Sequence, residues 1–453
     1  MDPGRRAKLD RVARAVARVS LRVFYRELEV VGRERVPASG PLVVVANHGN
    51  SLIDPAVLVA VLPRMPRFLA KHTLWKNPAV RPLLELAGSL PVRRAQDGGG
   101  DAARNAETFA RCYEELARGG CVAIFPEGIT YHEPRLQPVK TGAARIALGA
   151  EAASGPLGVR ILPVGLEFEE KTRFRSRALA VIGEPIDPAP ELALAGRDEA
   201  GAVRALTERV RDALEGVTVN CASWREAELV ARAADLVTGG PRALPGLSPQ
   251  AERFTLRRAV AAAYERLAER DPARARAAAR LVERYDAQLA RHALRDDQVA
   301  ASYPWRAVAA HLLDRLPLLA VQVPAALLGA ALHAVPALAA RVVGRFVARH
   351  PELPATYKLL VGLFGFPLWW LALGVGTGFA VGPLAGIVAA LAAPPLGFVA
   401  LRFREEYGRL LHEARAWLAL RLRPERAREL RALRRAARRR LRALDPRKRG
   451  RSN

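Results

Sequence analysis

A chain of 453 residues with a formal net charge of +26 is long enough for more than one folding unit and calls for a polyanionic partner or surface. Apolar residues make up 50% and charged residues 26%, a mixture that requires segregation into Arg-rich parts and stretches almost free of charge. Cys112, Cys121 and Cys221 are odd in number and lack metal-ligand spacing, which argues against a disulfide framework or a zinc site and for a reducing, cytosol-facing chemistry.

Residues 1–27 place Leu9, Val12, Val16, Val19 and Val23 at helical spacing, with Arg on the remaining faces. No continuous apolar run exists for a secretory signal. An amphipathic helix is expected, either docked on the next domain or lying in the plane of a membrane. From 28 to 190, β-branched runs such as "PLVVVAN", "GCVAIFPEG", "VRILPVGLEF" and "RALAVIGEPI" alternate with helical patterns, which predicts an α/β domain with a largely parallel or mixed buried sheet. Residues 191–310 turn to long Ala/Arg/Glu/Leu stretches and predict a helical region.

Membrane-embedded segments are expected over 311–401. The stretch 359–401 carries no ionisable residue, a length that crosses a bilayer twice as a hairpin. The stretch 316–340 is uncharged but holds three prolines, so it either spans or re-enters. Trp369, Trp370 and Tyr357 are interface candidates. Residues 340–350 and the Arg-rich tail 402–453 are both basic, and the positive-inside rule puts both on the cytosolic side. The tail is read as a clamp on anionic membrane lipids, at roughly 1 kcal/mol per basic residue near the surface. No nucleic-acid motif precedes it, so no nucleic-acid partner is expected.

Four polar blocks stand at strand-like ends of the α/β part. "VVVANHGNSLIDPAVL" frames His48 and Asp54 in one turn, and "GSLPVRR" (88–94) ends on Arg93 and Arg94. "FPEGITY" (125–131) places Glu127 and Gly128 after a β-rich run, and "ILPVGL" (161–166) carries Pro163. Together they make a polar site on an α/β scaffold. An imidazole with a pKa of about 6.5 suits proton abstraction from a hydroxyl, with a carboxylate to hold its tautomer. None of the cysteines lies beside a base, and Cys121 opens a strand as a core residue. His72, His132, His311 and His333 lack a framed carboxylate and are read as structural or exposed. No HExxH, CxxC pair or Walker-type loop occurs, so no metal and no nucleotide hydrolysis is expected.

These blocks resemble the four motifs of the glycerolipid (lysophosphatidate and glycerol-3-phosphate) acyltransferase superfamily, in that family's order and spacing, over about residues 28–190. One departure stands out: five residues separate His48 from Asp54, where the family's usual spacing is HxxxxD. This longer form, with Asn50 after the histidine, is similar to the fungal-type branch that acylates glycerol-3-phosphate or dihydroxyacetone phosphate. "FRSRALAVIGEPI" and "YKLLVGLFGFPLWW" are similar to that branch as well.

The resemblance implies a glycerol-3-phosphate acyltransferase-like α/β domain with a mixed sheet, followed by a helical region and C-terminal membrane helices. It implies a membrane enzyme, facing the cytosol, that moves an acyl group from acyl-CoA or acyl-carrier protein. The acceptor is glycerol-3-phosphate, dihydroxyacetone phosphate or lysophosphatidate; the acyl donor is a co-substrate and no cofactor is implied. His48 and Asp54 are the implied catalytic pair. Arg94 is the first choice for the acceptor phosphate, because a guanidinium binds phosphate bidentately. Lys71, Glu127, Gly128, Thr130 and Lys140 complete the implied substrate site. Pro163 matches a fourth-motif proline on the donor side, or else marks an edge-strand kink.

Overall fold

The computed structural model describes residues 3–78, 80–92, 102–238, 248–300, 319, 322–347 and 353–442. Two compact units divide the chain: residues 1–220 with 342–362, and residues 221–341 with 363–453.

The first unit is built on seven strands: β1 (Glu27–Val31), β2 (Leu42–Ala46), β3 (Arg67–Lys71), β4 (Leu90–Val92), β5 (Cys121–Ile124), β6 (Arg160–Phe168) and β7 (Arg177–Ile182). Their spatial order is β1-β7-β6-β2-β5-β3-β4. All neighbours run parallel except β6 and β7, so the sheet is mixed, as expected. Parallel strands are covered on both faces, which is why β2 is buried at every position. Leu42, Val44 and Ala46 enter one hydrophobic cluster, and period-two alternation turns Val43 and Val45 to the other face. Pro163 lies inside β6, between β2 and β7, and not on an edge. Its carbonyl accepts the Gly183 N–H.

The helices of this unit are α1 (Pro3–Phe24), α2 (Ile53–Val61), α3 (Arg81–Ala87), α4 (Ala102–Ala117), α5 (Gly142–Ser154), α6 (Ala189–Ala195) and α7 (Glu199–Val217). The α1 helix is docked, but not by the stripe that its valines suggested. Ala13, Ala17, Leu21 and Phe24 are buried, whereas Val12, Val19 and Val23 are exposed. Small residues let the helix approach closely, and its arginines finish the attachment by reaching backbone carbonyls. Arg14 donates to Pro63 O, Arg18 to Ala60 O and Arg6 to Ala87 O. A later helix, α14 (Pro354–Leu360), completes the same cluster with Ala355 and Leu359.

The second unit is helical. Helices α8 (Trp224–Thr238), α9 (Pro249–Arg270), α10 (Pro272–Arg291) and α11 (Asp296–Ala300) come first. Asp271 caps α10 by accepting the Arg274 N–H, with proline in its first turn. After α12 (Gln322–Leu332) and α13 (Ala334–Val342) come α15 (Phe366–Val381), α16 (Pro383–Leu422) and α17 (Pro424–Arg442). Pro354–Val381 and Pro383–Leu422 are both long and apolar enough to cross a membrane, and they meet at Gly382. The second, 40 residues long, extends roughly 60 Å, about twice the thickness of a hydrocarbon core. The proline-rich stretch is broken: Gln322–Leu332 and Ala334–Arg345 meet at 54°.

The break is pinned by polar groups. Trp369 Nε1–H donates to Leu332 O at 2.8 Å, and Trp370 Nε1–H donates to His333 Nε2 at 2.9 Å. His333 Nδ1 in turn meets Gly329 O at 2.8 Å. Both tryptophans therefore point their N–H groups at this break. His333 is structural; His311 lies outside the described residues. The C-terminal basic segment is no loose tail up to residue 442. Ala427, Leu430, Arg434 and Ala437 form a buried stripe on α17 at 3-4-3 spacing, which the surrounding arginines disguise in the sequence. Arg434 pairs with Asp296 through both carboxylate oxygens, and Tyr285 donates to the same group.

Candidate active site

In the parallel part of the sheet, β2, β3, β4, β5 and β6 all point their carboxyl ends to one edge, where open α/β sheets place their sites. His48 follows β2, Lys71 ends β3, Glu127 follows β5, and the turn carrying Lys171 follows β6. Arg94 lies just past β4, and both it and Arg93 fall outside the described residues.

His48 Nδ1 lies 2.9 Å from Asp54 Oδ2, and the same oxygen accepts the Asn50 N–H at 2.7 Å. Ser51, between His48 and Asp54, has a φ of 44°, in the left-handed region. Asp54 then enters α2 fully buried, and the imidazole side chain is 14% exposed. A buried carboxylate opposite Nδ1 holds the proton on that nitrogen and leaves the Nε2 lone pair for a substrate. Among the described residues no protein group bonds Nε2. The ring lies flat on Phe125, with centroids 4.1 Å apart and planes at 16°.

The turn is tied down on all sides. Asn47 continues the ladder where β2 ends, giving Nδ2–H to Leu166 O and taking the Leu166 N–H. Asn50 is fully buried and donates to the Tyr25 hydroxyl and to Lys171 O. The Leu52 N–H, at the start of α2, donates to the Thr356 hydroxyl of α14 at 3.2 Å.

Glu127 is only 2% exposed and is spent on the protein. Oε1 accepts the His48 N–H at 2.9 Å, and Oε2 accepts the Gln137 N–H at 2.8 Å. The Tyr131 hydroxyl bonds it too. Burial pushes the Glu127 carboxyl above the usual carboxylate range, and the three hydrogen bonds pull part of that back. Burial and the neighbouring Glu127 charge push the Tyr131 phenol up, so it stays a donor. Gly128 has a φ of +75°, and its Cα face is covered by Lys140, whose Nζ would lie 2.7 Å from a Cβ there. Lys71 and Thr130 are half-buried at the same edge of the sheet.

Cys112, Cys121 and Cys221 are all buried. Desolvation pushes the thiols of Cys112 and Cys121 up to about 12, so neither is a nucleophile at neutral pH. What the arrangement can do is draw a proton from a hydroxyl brought by a substrate.

The structure brings His48 and Asp54 together as the sequence suggested and sets Glu127 against the His48 turn. Asn47, Tyr25, Phe125, Tyr131, Lys171 and Thr356 were missed. Two amides flanking a histidine inside an apolar run were a usable signal for Asn47 and Asn50. Nothing local marks Thr356, which is 304 positions from its partner.

Parts of the chain are similar to known proteins. Residues 27–167 match the family described as Acyltransferase, and residues 247–444 match the Glycerol-3-phosphate acyltransferase 2 C-terminal domain. The first match supports the glycerolipid acyltransferase superfamily for residues 27–167, and the second supports its fungal-type glycerol-3-phosphate branch for residues 247–444. Glycerol-3-phosphate O-acyltransferase 2 of Saccharomyces cerevisiae is 46% identical over 82 residues, 18% of this chain and 11% of that protein. Glycerol-3-phosphate O-acyltransferase 1 of the same yeast is 34% identical over 122 residues, 26% of this chain and 16% of that protein. The matched stretches thus span well under two thirds of these relatives' own lengths. The crystal structure of a 1-acyl-sn-glycerophosphate acyltransferase from Thermotoga maritima is similar at 22% identity and a TM-score of 0.36, covering 48% of this chain and 83% of that one.

Proposed function

We propose that the protein is a membrane-bound O-acyltransferase that moves a fatty acyl group from acyl-CoA or acyl-carrier protein to the sn-1 hydroxyl of glycerol-3-phosphate. Dihydroxyacetone phosphate and lysophosphatidate are the alternative acceptors. The observation that carries this reading is the His48–Asp54 pair, with Nδ1 engaged by a buried carboxylate and Nε2 left for substrate. The glycerol-3-phosphate family match to residues 247–444 favours that acceptor over lysophosphatidate.

Nε2 of His48 takes the acceptor hydroxyl proton as its oxygen attacks the thioester carbonyl, a contribution of about 10²- to 10⁴-fold. The tetrahedral intermediate collapses, the C–S bond breaks, and the imidazolium returns the proton to the thiolate leaving group. Asp54 stabilises the imidazolium throughout. No acyl-enzyme is involved. Glu127 acts by fixing the His48 turn, while Lys71, Arg94, Thr130 and Lys140 serve the substrate's charged and polar groups. The exposed arginines of α17 face anionic lipid headgroups, and the catalytic unit faces the cytosol.

His48→Ala should abolish acyl transfer, read as radiolabelled acyl-CoA incorporated into an acceptor panel, and leave the protein in the membrane fraction. Turnover within tenfold of the parent in that variant would remove the assignment.

A further inference from the structure

The turn after β6 brings a second cation to the catalytic histidine. A Cβ built on Gly49 would lie 2.7 Å from Lys171 Nζ, so the ammonium occupies the space beside the residue that follows His48. Lys140 Nζ holds the equivalent place over Gly128, at 2.7 Å from a Cβ built there. Two glycines thus each admit an ammonium that a side chain would displace. One lies in the turn that holds the base, and the other follows the carboxylate that holds that turn.

The placement of Lys171 is enforced from two directions. Its carbonyl oxygen accepts Asn50 Nδ2–H at 3.2 Å, tying it to the histidine turn. Its neighbour Thr172 offers its carbonyl to Lys358 Nζ at 2.7 Å, from α14. The two tethers fix a residue that no motif marks, in a half-buried position where a cation is less screened than on an open surface.

From this we infer that Lys171 is a substrate-binding residue, whose ammonium receives a phosphate group at the His48 turn together with Lys140. The inference rests on the acyl-transfer reading for the identity of the substrate. A phosphate reaches this site either on the acceptor or on the nucleotide part of acyl-CoA. Proximity to the base favours the acceptor, whose phosphate and reacting hydroxyl are only a few bonds apart.

The test uses the full-length protein in lipid nanodiscs, with Lys171→Met and Lys171→Arg. Losing one charged hydrogen bond to a phosphate should raise the KM for glycerol-3-phosphate about 10- to 100-fold and leave kcat within a few-fold. Arginine should recover most of the loss. A rise confined to the KM for acyl-CoA keeps the phosphate role and assigns it to the donor. Both KM values unchanged in Lys171→Met would overturn the inference while leaving acyl transfer standing. If the parent protein acylates no acceptor, that reading falls on its own. Calorimetric titration of glycerol-3-phosphate then decides the lysine separately: parent-like affinity in Lys171→Met overturns its role, and a tenfold or greater loss upholds it.

Discussion

Glu127 shows how a single side chain does structural work that a motif conceals. Its carboxylate bridges the N–H groups of His48 and Gln137, so it sets the histidine's backbone without facing the solvent. A glutamine has one acceptor oxygen and must turn an amide N–H toward one of those donors. Glu127→Gln should therefore lower kcat about 10-fold or more, since displacing one such contact costs on the order of 1–3 kcal/mol. A pH effect follows as well. Burial raises the folded-state pKa of Glu127, so the folded protein retains a proton that the unfolded chain has already released. The contribution of this group to stability thus falls as pH rises from the ordinary carboxylate range to its elevated value, and is flat above it. Denaturation midpoints against pH should lose that falling segment in Glu127→Gln; an identical profile would contradict the assigned direction.

Among the elements, the helix Pro354–Leu360 is the least expected. It opens a segment long enough to cross a membrane, yet Ala355 is fully buried in the catalytic core and Thr356 caps the helix that bears Asp54. Thr356→Val keeps the shape and removes the acceptor of the Leu52 N–H. It should destabilise by about 1–3 kcal/mol and reduce turnover, and Thr356→Ser should restore both. Thermal midpoints and kcat measured side by side check this; a silent valine variant would show the cap to be dispensable.

Elements of this kind explain which parts of the fold were legible. The strands β2, β5, β6 and β7 were read from β-branched runs, because burial on both faces leaves a local compositional signature. The His48–Asp54 pair was legible because its framing is local, within one turn. The docking face of α1 was misread because alanines, not valines, make its contacts. Of the two readings of Pro163, a fourth-motif proline or an edge-strand kink, the strand order removes the second, since only that order reveals which strands are edges. Lys171 and Thr356 meet the turn across long loops, and no periodicity or composition records such a meeting.

For the whole molecule, the two long apolar helices that meet at Gly382 allow a topological prediction. A hairpin of two crossings puts the Gly382 turn on one side of a bilayer and α17 on the other. The native cysteines are buried, and those at 112 and 121 are held protonated, so background labelling is low. An impermeant maleimide applied to oriented vesicles should label Gly382→Cys from one face only and Glu425→Cys from the other. Labelling of both from the same face would rule the hairpin out.

The catalytic unit is discontinuous, leaving off at residue 220 and resuming at residues 342–362. A ribosome making this chain completes the sheet and the histidine turn long before it supplies Ala355, Thr356 and Leu359. Completion of the unit must wait for the piece of polypeptide that opens the first long apolar helix. Assembly order thereby couples one end of the unit to the other: a chain released short of Thr356 is also a chain whose histidine turn has not yet been fixed.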